Sequence, residues 1–378
     1  MAGSQGTFDR PLLCARVAHG SRTHHRWERY DAPAWEGIAM ANGGTAGGRP
    51  TMADVAAHLG VSRQLVSLVL GDRPGPSAAT RERVLRAAEE LGYRADTAAQ
   101  LLRRARSRQV GVLFTMEHPM DADLVEALYP EAARLDYSVA LSAMLANRTE
   151  RQAIDELVGL RCEALVLIGM SAQAPEDLAR VAERVPVVEI GQRTNAAGTD
   201  SVRTDAVSGV RQAVDHLVAL GHRRIAHVYG GDLPSAPERR AGYLEGMRAH
   251  GLEDCVDLVP GAYTEEAGAH AASALLSRGS LPTAVVCCND QSARGLMETL
   301  LRAGRSVPGE VSVVGYDDSR AARLSFLRLT SVRQDVHRIA ELTLGAVAER
   351  LEEGRTESTH VLLPTTLTVR ESTAPPRA

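Results

Sequence analysis

Two adjacent side chains, Arg63 and Gln64, carry a sharp chemical signal. An arginine guanidinium can donate twice to guanine O6 and N7, and a glutamine amide can pair with adenine N6 and N7. The two types side by side on an exposed helix therefore suit the reading of base edges in a major groove. At about 100° per residue, Leu65, Val66, Val69 and Leu70 fall on one side of a helix, and Arg63, Gln64, Ser67 and Leu68 fall in a contiguous arc on the other. The first set packs and the second is presented outward.

A second group of polar residues follows apolar runs. Asp317 and Asp318 come after the run ending near Tyr316, Asn289 and Asp290 after Cys288, and Arg193 after Ile190. Strand ends of this kind face the binding crevice in open α/β sheets. Asp290 and Asp318 read rather as turn or cap residues. Aromatic residues make up only 3% of the chain, so a stacking platform must come from a few side chains, with Phe114, Tyr229 and Tyr263 as candidates.

The elements that would position these residues are legible. Thr51 with Asp54 three residues on forms a capping pair, and Met52, Val55, Ala56 and Leu59 recur at helical spacing up to Gly60. Ser62 caps a second helix to about Leu70 after a break of only a few residues, which is helix-turn-helix spacing. Ser77 opens a third helix with a Val84, Ala88 and Leu91 stripe, stopped by Gly92. From about Arg108 the pattern changes. Apolar runs at 109–115, 138–144, 163–169, 186–190, 225–229, 283–288 and 311–316 alternate with helical stretches at 123–135, 149–158, 175–184, 207–220, 265–278, 291–304 and 336–352. Continuous apolar strands between helices predict parallel sheets covered on both faces. Roughly 270 residues exceed one comfortable sheet, so two lobes with a cleft between them are expected. The expected layout is a disordered tail or misassigned start over 1–49, a helix-turn-helix domain over 50–94, a short segment over 95–107, an α/β body over 108–372 and a tail over 373–378.

Composition removes several alternatives. All 43 basic residues are arginine. Without lysine there is no P-loop, no pyridoxal phosphate Schiff base and no protein kinase strand lysine. No G-x-G-x-x-G follows a strand, no G-x-S-x-G occurs, and the histidines show no pair at metal spacing, so neither an enzyme nor a bound cofactor or metal is expected. The five cysteines are scattered and read as reduced thiols. No run approaches the roughly 18 apolar residues of a membrane span, and a soluble cytoplasmic protein is expected. Residues 1–110 hold 16 arginines against 10 acids, and the remainder holds 27 against 37. A basic head on an acidic body suits a phosphate-binding domain joined to an ordinary soluble one.

The head, TMADVAAHLGVSRQLVSLVL from Thr51 followed by SAATRERVLRAAEELGY from Ser77, resembles the LacI/GalR family of transcriptional regulators. Further matches lie in DHLVALGHRRIAHVYG from Asp215, ERRAGY from Glu238, PTAVVCCNDQSARG from Pro282, VPGEVSVVGYDD from Val307 and LTSVRQD from Leu329. The resemblance spans about residues 50–372. It implies a homodimeric repressor on double-stranded operator DNA, with Thr51, Ser62, Arg63, Gln64, Ser67 and Leu68 at the DNA. The segment matching Asp96 to Arg104 would be a hinge helix, with Ala99 and Leu102 at the minor groove and Leu102 as a wedge. It also implies a small effector, a sugar above all, between two lobes crossed by three connections, with residues near 320–335 returning to the first lobe. Ligand contacts implied by family position are Asp205, Arg239, Asp317 and Gln334, to which the strand-end residues Arg193 and Asn289 and the aromatics Phe114 and Tyr263 are added. A solute-binding protein without DNA function shares the body and lacks the basic head. Leu65 and Leu68 depart from the threonine or serine and the arginine common in the family, and Ala95 and Asp96 from the proline and asparagine.

Overall fold

The computed structural model describes residues 50–71, 73–93, 106–145, 147–169 and 174–377. It falls into two compact units, dividing at Ala95 and Asp96.

Among its described residues the first unit holds three helices, α1 (Met52–Leu59), α2 (Arg63–Leu70) and α3 (Ala78–Glu90). Each begins on a hydroxyl. Asp54 N donates to Thr51 Oγ1 while Thr51 N donates to Asp54 Oδ2 at 2.7 Å, closing a reciprocal box. Ser62 accepts from Leu65 N and Ser77 from Thr80 N. Gly60 takes φ 64°, the left-handed turn that ends α1 and redirects the chain into α2. Val55, Ala56, Val66, Val69, Val84, Ala87 and Ala88 form the core these helices share. Of the other two residues expected to pack, Leu70 is partly buried against this core, and Leu65 is half-exposed like Leu68 and is not part of it.

The second unit contains two six-stranded sheets. The first has the order β11-β5-β4-β3-β1-β2 and the second β12-β10-β9-β8-β6-β7. In chain order the elements are β1 (Gln109–Thr115), α4 (Pro119–Arg134), β2 (Ser138–Met144), α5 (Glu150–Gly159), β3 (Ala164–Ile168), α6 (Pro175–Ala182), β4 (Val187–Ile190), β5 (Asp200–Thr204), α7 (Ala206–Ala219), β6 (Ile225–Tyr229), α8 (Ala236–Ala249), β7 (Asp257–Pro260), α9 (Glu265–Leu276), β8 (Ala284–Cys287), α10 (Asp290–Arg302), β9 (Ser312–Asp317), β10 (Thr330–Arg333), α11 (Val336–Glu352), β11 (His360–Leu363) and β12 (Thr366–Thr368). Strand pairs are parallel except β10 with β12. The first sheet is thus parallel throughout and the second ends in one antiparallel strand. Central strands such as β3 and β8 are buried along their whole length, as helices on both faces require.

The chain crosses between lobes three times: from β5 into α7, from β10 into α11, and from β11 into β12. The crossings are tied together. Thr365 Oγ1 donates to the Asp205 carbonyl, and Thr204 Oγ1 donates to Gln334 Oε1 at 2.6 Å.

Two expectations need correction. Residues 320–335 do not return to the first lobe as a block. β10 pairs with β9 in the second sheet, and the crossing comes only at Gln334 and Asp335, after which α11 packs Ile339, Ala340 and Leu344 into the first lobe. Nor is the chain a free tail from 373. Ala374 N donates to Ser312 Oγ, the Ala374 carbonyl accepts from Ser312 Oγ and bonds His222 Nε2, and the buried Ser372 bridges β9 and β10. The expected tail at 1–49 and nearly all of the 95–107 segment lie outside the described residues.

Candidate ligand cleft and nucleic-acid interface

On α2 the arc inferred from helical spacing is the outer face. Arg63, Gln64 and Ser67 are exposed, Leu68 is half-exposed, and Val66 and Val69 on the opposite side are buried. Thr51 and Ser62 are exposed residues whose side chains cap α1 and α2, leaving the first backbone N–H groups of both helices fixed in direction. That geometry suits phosphate. Ala99 and Leu102 lie outside the described residues.

In the body, a cleft lies between the lobes at the carboxyl ends of both sheets. Five of the eight sequence candidates meet there: Arg239, Asp317, Asn289, Gln334 and Tyr263. Three do not. Asp205 caps α7 by accepting from Ser208 N at 2.9 Å, Arg193 is exposed outside the cleft, and Phe114 packs against the core of the first lobe. Tyr229 is likewise outside the cleft, under the Arg240 guanidinium.

Arg239 is the centre of the second-lobe wall. It is 7% exposed, its guanidinium carbon lies 3.8 Å from the Tyr316 ring centroid and 5.0 Å from that of Tyr263, and Nη1 donates to the Cys288 carbonyl. Nη2 lies 3.5 Å from Asp317 Oδ1, an ion pair longer than a hydrogen bond. Tyr263 is fixed by donating to the Pro234 carbonyl at 2.7 Å, and Asn289 by accepting from Ser292 N and donating to the Tyr263 carbonyl. Asp317 accepts from Gln334 Nε2 at 2.8 Å. Burial pushes the Asp317 carboxyl above the usual range, opposed by Arg239 and Gln334. Behind it, Asp290 is wholly buried and pushed up to about 7, first by burial and then by the Asp317 charge, although Ser319 and Ser331 donate to it.

The first-lobe wall is different in character. Met120, Leu124, Ile168, Ile190, Val202 and Ile339 present aliphatic surface. Its polar groups are few. Asp121, pushed up to about 6 by burial, is held by Thr115 N and Oγ1, and His118 stands edge-on to Tyr263 across the cleft. His118, Asp121, Ser235 and Gln291 line the cleft and were absent from the sequence candidates. The strand-end rule would have found His118 and Asp121, which follow β1 as Arg193 follows β4. Three buried polar atoms at this cleft have no partner among the described residues: His118 Nδ1, Arg239 Nε and Gln291 Oε1. Such atoms cost free energy unless a ligand or water completes them.

A helix-turn-helix head and a two-lobed body with a polar cleft at its strand ends define a ligand-responsive DNA-binding regulator. Residues 51–96 match the bacterial regulatory proteins of the lacI family, and residues 214–373 match the periplasmic binding protein-like domain. The HTH-type transcriptional regulator AscG of Escherichia coli (strain K12) is 32% identical over 313 residues, covering 80% of this chain and 93% of AscG. Among solved structures, the lac repressor dimer bound to operator and the anti-inducer ONPF is similar with a TM-score of 0.73 at 29% identity, covering 86% of this chain and 100% of that one. The complex of the transcriptional regulator CelR with cellobiose has a TM-score of 0.63 at 30% identity, with the same coverage of 86% and 100%. The chain belongs to the LacI family of bacterial regulatory proteins.

Proposed function

We propose that this protein is a homodimeric transcriptional repressor whose hold on operator DNA is set by a small hydroxyl-bearing effector, a sugar or sugar derivative, in the interlobe cleft. The observation that carries the reading is the pairing of an outward Arg63, Gln64 and Ser67 face on α2 with a separate cleft where Arg239, Asp317, Asn289 and Gln334 converge. Arg63 and Gln64 read base edges, while the capped starts of α1 and α2 meet phosphates. The operator-bound lac repressor dimer supports the dimer and the operator, and the cellobiose complex of CelR supports a carbohydrate effector.

The two walls narrow the effector's chemistry. Hydroxyl groups suit the second lobe, where carboxylate, guanidinium and amides are held in place. Against Met120, Leu124, Ile190, Val202 and Ile339 a hydroxyl finds no partner and costs roughly 1 to 3 kcal/mol. The effector therefore carries a polar edge and a face of C–H or alkyl groups. The reading is of a binding protein without a catalysed reaction, in keeping with the regulators it resembles, and one that works beside DNA in the cytoplasm. Among the described residues no helix is long and apolar enough to cross a membrane.

The test is selection of bound sequences from random duplex DNA, followed by affinity against salt and against a panel of sugars and alkyl glycosides. An enriched palindrome with a steep salt slope that one panel member abolishes is expected. Retention of DNA without sequence enrichment would overturn the operator reading.

A further inference from the structure

We infer that Arg320 latches the two lobes together in the absence of effector, a property that rests on this chain's own ion pairs whatever the effector is. Arg320 lies in the second lobe, in the loop after β9, and reaches across to α4 of the first lobe. Its Nε meets Asp123 Oδ1 at 2.7 Å and its Nη2 pairs with Glu126. Asp123 is largely buried, with a side chain 12% exposed, so its charge is screened less than that of an ordinary surface carboxylate.

Arg320 and Glu126 are themselves largely exposed, so the bridge acts together with the charges around it. Asp123, Glu126, Asp317 and Asp318 share one groove between the lobes, beside the cleft. Asp317 is offset by Arg239, and Asp318 by Arg370 and Arg323. Asp123 and Glu126 have Arg320, with Arg323, Arg333 and His337 as the other bases of the groove. Removing Arg320 leaves Asp123 and Glu126 without their ion-pair partner in the second lobe, so the charge attraction across this rim is lost. On another rim, Arg203 and Glu238 are 3.8 Å apart. Among the described residues the uncharged contacts across the cleft include two hydrogen bonds, Ser235 Oγ to the Gly191 carbonyl and Gln291 Nε2 to the Glu117 carbonyl, and the edge-on approach of His118 to Tyr263. An effector shifts two lobes joined in this way in proportion to its differential affinity for their arrangements.

The experiment measures spin-label distances between exposed positions, Arg151→Cys in the first lobe and Arg302→Cys in the second, in full-length protein without ligand. Cys14 and Cys255 are replaced by serine, and labelled chains are diluted into unlabelled ones so that each assembly carries one labelled copy. The expected result is a single short-distance population in the parent, and a longer population in Arg320→Ala and in Asp123→Asn with Glu126→Gln. Raising the salt concentration moves the parent the same way and leaves Arg320→Ala unmoved. Identical distance distributions in the parent and both variants, or a parent already in the longer population, overturn the latch.

Discussion

Gln334 holds the Asp317 carboxylate from the second lobe crossing, donating from Nε2 to Oδ1 at 2.8 Å while its own Oε1 accepts from Thr204 at 2.6 Å. One amide thus joins two of the three interlobe connections to the acid at the centre of the cleft. A hydrogen bond to a charged group contributes about 1.5 to 3 kcal/mol. Gln334→Ala is expected to weaken effector binding by roughly tenfold or more, since the carboxylate loses both its orientation and a donor that favours its charged form. Titration with whichever panel sugar releases the operator measures this. An unchanged dissociation constant would remove Gln334 from the site.

Arg63 sits at the first position of α2 with its side chain exposed, so truncation leaves the head's core intact. A bidentate arginine contact to guanine discriminates by about 1 to 3 kcal/mol. Arg63→Ala is expected to bring affinity for the selected operator towards that for random duplex by about tenfold, with the melting temperature unchanged. Competition binding with operator and scrambled duplex checks it. Undiminished discrimination would assign the readout to other residues of the α2 face.

The head was legible in detail because its signals are local: a hydroxyl cap, a glycine turn and a short apolar stripe each act within four residues. In the body, strands buried on both faces stood out as apolar runs, and β1, β2 and β6 have the expected limits. Elements whose reason is tertiary were not visible. β5 begins on Asp200, a polar residue that is buried because Arg350 and Arg355 both pair with it from distant parts of the chain. α8 lacks an apolar stripe because Gly242 and Gly246 occupy its packing face, where a Cβ at Gly242 would lie 2.3 Å from the Val207 carbonyl oxygen of α7. Its buried arginine, Arg239, stands out only by family position, since nothing local distinguishes it from the half-buried Arg240. Asp205 and Phe114 are the reverse case, plausible by position and turned by packing to a cap and a core contact.

Ser372 closes the second lobe from the carboxyl end. It is 2% exposed, its Oγ donates to the Val313 carbonyl at 2.6 Å, and it accepts from Thr330 N at 2.8 Å. Ser372→Ala leaves the Thr330 N–H buried without that acceptor, a loss of about 1 to 3 kcal/mol. Urea unfolding is expected to show a lower midpoint with an unchanged slope. A midpoint equal to the parent's would mean that the segment after Arg370 contributes little to the lobe.

His227 provides a pH signature of the same lobe. Its ring is stacked on Tyr243 with centroids 5.1 Å apart, Nδ1 bonds the Val286 carbonyl, and Nε2 has no partner. Burial, aided by the Arg239 and Arg240 charges, pushes its pKa down to about 4. The unfolded chain therefore takes up a proton near pH 6.5 that the folded chain refuses until about pH 4. Stability from this group is present in full above pH 6.5 and is lost as pH falls through that window, by about 3 kcal/mol at the end of it. Asp121 and Asp290 act oppositely. Their raised pKa values mean that acidification relieves a cost of burying charge, so the pH profile of the parent alone mixes the two effects. Comparison with His227→Phe separates them, because phenylalanine keeps the stacking and cannot titrate. The variant is expected to be about 1 kcal/mol less stable than the parent at pH 7.5 for want of the Val286 bond. Relative to the parent it gains about 2 kcal/mol between pH 6.5 and pH 5, so the order of stability reverses. Parallel pH profiles for the two proteins in chemical denaturation would show that His227 takes up its proton without unfolding the lobe.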